Sequence, residues 1–202
     1  MLKYFIKQTS FSIVYLIFSA VCAIGVMFTT AMWLQIALGI LNLSVFLVII
    51  FLSYFKEGET ALKVMHANDL ERKEIIRTGE DRPLNLVQEY DGKKGLFMGL
   101  VLGAPLVILV LLHLLITLIF GVQTNGVGLA LSIIYNVFFV FVRIGFGGVL
   151  PEASVINGYF YITLLGLPLI VLSAWLGYLY GAKAQQKKYD LIEDKTKRIY
   201  GE

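Results

Sequence analysis

Few side chains in this chain have the type and spacing to do chemistry. Arg143 ends an apolar segment, and Glu152 follows nine residues later across Gly145-Phe146-Gly147-Gly148 and Pro151. A loop of that kind can fold back, so the pair could present a guanidinium fork to an anionic ligand or to the carboxylate itself. His113 lies deep in another apolar run, and an ionisable group at membrane depth is a functional-site candidate by default. Its bland alternative is a neutral imidazole paired with a hydroxyl or carbonyl. These three residues, Arg143, His113 and Glu152, are the candidate ligand-binding set. His66 and Asp69 stand three apart on a charged helix and form the one potential ligand pair, but two ligands do not close a metal site.

No catalytic residue is assigned. The phosphate-cradling glycine loop, the paired-histidine metal helix and the nucleophile turn Gly-x-Ser-x-Gly are all missing from the sequence. A single cysteine, Cys22, excludes an intrachain disulfide and a thiolate cluster. It reads as a small buried apolar residue. Neither metal nor cofactor is expected.

The elements that must hold these residues are set by composition. Hydrophobic residues make up 58% of the chain and mean hydropathy is +0.79. Ordinary soluble domains are about 45–50% apolar, and here the excess is gathered into runs of membrane-spanning length. The fold class is therefore all-α, a polytopic membrane protein. Net charge is +3, with no basic cluster suited to nucleic acid.

Lys3 and Lys7 precede an apolar stretch from Phe11 to Phe28 that resembles a signal sequence, but hydrophobicity resumes at once through Phe55, so the stretch is expected to stay as a span. Residues 1–55 then form a helical hairpin turning near Thr29-Thr30. Gln35 and Asn42 in its second arm are expected to face another helix. Residues 56–94 carry eight basic and nine acidic side chains. Lys and Arg resist translocation whereas Asp and Glu count for little, so this loop is expected in the cytoplasm. Its first part continues the preceding helix without a breaker, with Glu59–Lys63 and Asp69–Lys73 as i,i+4 pairs and Gly79 as C-cap.

Residues 95–181 form the C-terminal membrane region. Gly95, Gly99 and Gly103 repeat every four residues and make one helix face flat enough for close approach. Pro105 follows and is expected to kink that helix. Ser173, Gly177 and Gly181 form a second ridge of the same spacing, the expected partner of the first, in a span from Tyr159 to Tyr180 that contains Pro168. Between them, Val127 to Val142 is about 24 Å long as a helix against a core of about 30 Å. Segment 127–150 is therefore expected to be re-entrant or interfacial, giving four spans, with five as the alternative. The tail, 182–202, holds six basic residues and is expected beside the loop, both termini being cytoplasmic in a bacterial plasma membrane.

Two functional classes fit. The first is a structural or accessory subunit of a membrane complex, whose partners are the lipid bilayer and another membrane protein or a second copy. The second is a small transport protein, or the substrate-binding membrane subunit of one, suggested by His113, Arg143 and the broken outer segment.

Overall fold

The computed structural model describes residues 18, 21–22, 25, 31–79, 84, 88–121, 126–128, 137, 140 and 163–200. Among these residues there is no strand, and three helices are long and apolar enough to cross a membrane. They are α1 (Met32–Thr78), α2 (Lys94–Phe120) and α3 (Gly166–Tyr200). Most of the first arm of the expected hairpin, its turn at Thr29-Thr30 and nearly all of segment 127–150 lie outside the described residues.

Each helix ends where its chemistry dictates. α1 runs unbroken from apolar sequence into the charged loop, because Ala, Leu, Lys, Glu and Arg are strong helix formers and neither Gly nor Pro interrupts 59–78. It stops at Gly79, whose φ of 72° is open to glycine at no steric cost and whose N–H donates to Ile75 O at 2.8 Å. Gly121 closes α2 in the same way, with φ 62° and a 3.0 Å bond to Thr117 O. α2 begins at the Asp91-Gly92 turn, where Asp91 Oδ1 accepts the Lys93 backbone N–H at 3.0 Å. Pro105 sits inside α2, whereas Pro168 falls in the first turn of α3, where a missing N–H costs no helical bond.

The chain divides into two compact units. The unit formed by 1–49 and 100–170 buries Gln35, Asn42, Leu106, Val110, His113, Thr163 and Ile170. In it Gly39 faces Val140 and Gly103 faces the Leu167 side chain.

The unit formed by 50–99 and 171–202 is built on α3. A Cβ added at Gly177 or Gly181 would strike the backbone carbonyls of Phe51 or Phe55 in α1, and one at Gly58 would strike the Tyr178 carbonyl. The two backbones are therefore in direct contact, and the ascending pairs 51 with 177 and 55 with 181 mean that α1 and α3 run parallel. Another face of α3 meets α2: a Cβ at Gly95 would lie 2.7 Å from Tyr178 Cβ, and one at Gly99 would lie 2.9 Å from Val171 Cα. That register descends, so α2 is antiparallel to α3. The two glycine ridges thus do not meet each other as the sequence suggested. Gly177 and Gly181 receive α1, while Gly95 and Gly99 receive Tyr178 and the Val171–Ala174 turn. Ser173 is partly buried in the same stretch of α3.

Replacing Gly181 by Ala forces the α1 backbone away, and the expected loss is about 1–3 kcal/mol, the scale of overpacking a fitted interface. Gly126, with nothing within 4 Å of an added Cβ, is the control. Reversible unfolding in mixed micelles should show Gly181→Ala clearly destabilised and Gly126→Ala unchanged or slightly more stable.

Candidate functional site

Among the described residues a polar cluster sits where the apolar parts of the three helices end. Tyr178 is placed there by α3, which is apolar through Trp175 and Leu176 and becomes charged from Lys183. It is completely buried, and its ring stacks on Tyr90 with centroids 5.4 Å apart and planes 10° from parallel. Burial and the neighbouring Asp91 carboxylate push the Tyr90 hydroxyl above its ordinary pKa, so it remains a neutral phenol. The Tyr178 hydroxyl is buried without a hydrogen-bond partner.

The short connector that carries Tyr90 is fastened at three points. Trp175 Nε1–H donates to Gly92 O at 3.1 Å. Arg72 divides its fork, Nη1 reaching Asp69 Oδ1 at 2.7 Å and Nη2 reaching Glu89 Oε1 at 2.6 Å. Asn68, also buried, donates through Nδ2 to the same Glu89 oxygen at 2.8 Å. A half-exposed guanidinium pair of this kind contributes up to about 1 kcal/mol. Asn68 adds specificity, because its amide is buried and would be costly to leave unmade.

Farther along α1 and α3 a second group joins the helices. The His66 ring lies 4.1 Å from that of Tyr189, and its Nε2 is 3.5 Å from Gln186 Oε1. Gln186 in turn donates to Asp190 Oδ1. Lys188 Nζ donates to Glu59 Oε1 at 2.8 Å. Glu59 and Asp69 are thus engaged by Lys188 and Arg72, residues that the i,i+4 reading passed over. Toward the tail end, Lys197 bonds Glu193 at 2.7 Å, which holds that carboxyl below and that ammonium above their ordinary pKa values.

Of the candidate ligand-binding residues, His113 alone is among those described. His113 is 1% exposed in α2, in the other unit, and its carbonyl accepts the Thr117 hydroxyl at 2.9 Å. Arg143 and Glu152 lie outside the described residues. Among the described residues no three His, Cys, Asp or Glu side chains converge as a metal site would require. What the cluster at the membrane edge does chemically is hold: it ties the connector before α2 to α1 and α3 through charge-assisted bonds and stacked rings. The roles of Tyr90, Tyr178 and Trp175 depend on partners far away in sequence, which local pattern does not show.

Because the Tyr178 hydroxyl gains little where it lies, Tyr178→Phe should keep stability within about 0.5 kcal/mol or raise it. Tyr178→Ala empties the space that Gly95 and Tyr90 enclose, at a cost of about 3–5 kcal/mol. Thermal unfolding of both variants in detergent checks the contrast; equal losses would mean that the hydroxyl is a required partner.

The chain matches no protein-family model, no curated protein and no solved structure.

Proposed function

We propose that this protein is a structural or accessory subunit of a membrane complex, which presents a paired helical arm outside the bilayer. The observation that carries the reading is the character of that arm. Past the membrane edge α1 continues for more than twenty residues and α3 for nearly as many, about 30 Å each. Large apolar side chains on them face solvent: Leu70, Ile76, Leu191, Ile192 and Ile199, with Ile76 85% and Ile199 75% exposed. On α3, Leu191, Ile192 and Ile199 fall within about 100° of one another around the helix, an apolar strip that another protein could cover. Nothing in the cluster at the membrane edge resembles a nucleophile with its base, so an anchoring role fits these groups better than turnover.

The same geometry supports a topology. α1 and α3 leave their apolar segments in the same direction and α2 runs opposite, which favours loop 56–94 and tail 182–202 on one side. The chain from Phe120 to Thr163 would then leave and return on the other side, favouring four spans with 127–150 re-entrant over five. The richness of both charged segments in Lys and Arg places them in the cytoplasm, and a bacterial plasma membrane is the setting we assign.

Purification of the full chain in mild detergent tests the reading. A partner retained at fixed stoichiometry is expected, and the combined substitution Ile76→Glu, Ile192→Glu and Ile199→Glu should release it while helical content stays unchanged. A monodisperse chain that carries no partner but holds a stoichiometric small molecule would overturn this reading in favour of a transport component.

A further inference from the structure

We infer that Lys56, Lys93 and Lys183 form a collar that binds the phosphate groups of anionic phospholipids. Lys56 lies on α1, Lys183 on α3 and Lys93 in the turn before α2, all in one unit, and they stand at one level. Phe55 is in backbone contact with Gly181, Gly58 with Tyr178 and Ala182, and Gly95 with Tyr178. Each lysine is therefore within about a turn of the point where its apolar segment ends, Phe55 on α1, Gly95 on α2 and Tyr180 on α3. All three are exposed.

Several carboxylates near them are already engaged. Glu59 is held by Lys188, Asp69 by Arg72, and Glu89 by Arg72 and Asn68. Asp91 caps α2 through the Lys93 backbone N–H and leaves the Lys93 ammonium outside. Among the described residues none of Lys56, Lys93 and Lys183 has a carboxylate partner. Arg72 and Lys188 are neutralised within the chain, whereas these three ammonium groups stand exposed at headgroup depth. Tyr180, 54% exposed at the same level, supplies the aromatic body that interfaces favour. A leaflet with anionic phosphates supplies the missing counter-charge, where each lysine adds about 1 kcal/mol, close to fivefold in affinity.

Full-length protein in neutral detergent is titrated with phosphatidylglycerol, with phosphatidylcholine and with inorganic phosphate, and binding is followed by the rise in Tm. Phosphatidylglycerol should bind about a hundredfold more tightly than phosphatidylcholine. The preference should vanish in Lys56→Gln/Lys93→Gln/Lys183→Gln and persist in Lys73→Gln/Arg77→Gln/Arg198→Gln, whose charges lie about 20–30 Å farther out, beyond a Debye length of about 8 Å. If the triple variant does not fold, each single substitution should still lower the preference several-fold. Equal stabilisation of wild type by both lipids, or an unchanged preference in the collar variants, would overturn the proposal. Stabilisation by inorganic phosphate equal to that by phosphatidylglycerol would also overturn it, by making this a site for free phosphate. The accessory role proposed above is not needed for any of these outcomes.

Discussion

Backbone contact between α1 and α3 is the constraint on which the rest of the unit depends. Within a bilayer, lipid tails compete on equal terms with apolar side chains, so helices associate only where their surfaces fit more closely than lipid can. Gly58, Gly177 and Gly181 remove the side chains that would hold the helices apart, and the carbonyls of Phe51, Phe55 and Tyr178 lie where those side chains would have been. Once that crossing is set, α3 has one face committed to α1. Its other face, from Val171 to Tyr178, is left for α2, and Tyr178 occupies the hollow over Gly95.

The charged part of the chain inherits its order from this crossing. Because α1 and α3 emerge side by side, Lys188 reaches Glu59 and Tyr189 lies over His66, contacts that link residues more than a hundred positions apart. The connector before α2 is then drawn in by Arg72, Asn68 and Trp175. Individually these bonds are weak, since most are half-exposed. Their effect is positional: they fix the connector and the two emerging helices relative to one another.

Much of this was legible from local pattern. The apolar runs mark the spans, unbroken helix formers carry α1 into the charged loop, and Gly79, Gly121 and Asp91-Gly92 mark ends that depend on neighbouring residues alone. Partner choice was not legible. A repeat of glycines every four residues says that a face is flat, but not which helix lies on it, and Gly95 accepts an aromatic ring rather than a second glycine. Ion pairing escaped for a similar reason. Glu59 has a lysine four residues ahead, worth only a few tenths of a kcal/mol, so a well-placed Lys188 on another helix displaces it. Arg143 and Glu152 lie outside the described residues, and His113 is buried within α2.

The parallel course of α1 and α3 is the central claim, and cross-linking tests it most directly. In a Cys22→Ser background, the pair Glu59→Cys and Lys188→Cys replaces two side chains whose charged atoms are 2.8 Å apart. Oxidation of the chain in membranes should give a rapid intramolecular disulfide for this pair, and little for Glu59→Cys with Arg198→Cys, whose second position lies about 15 Å farther along α3. Equal yields from the two pairs, or no intramolecular product from the first, would contradict the parallel crossing and with it the arrangement built on Gly58, Gly177 and Gly181.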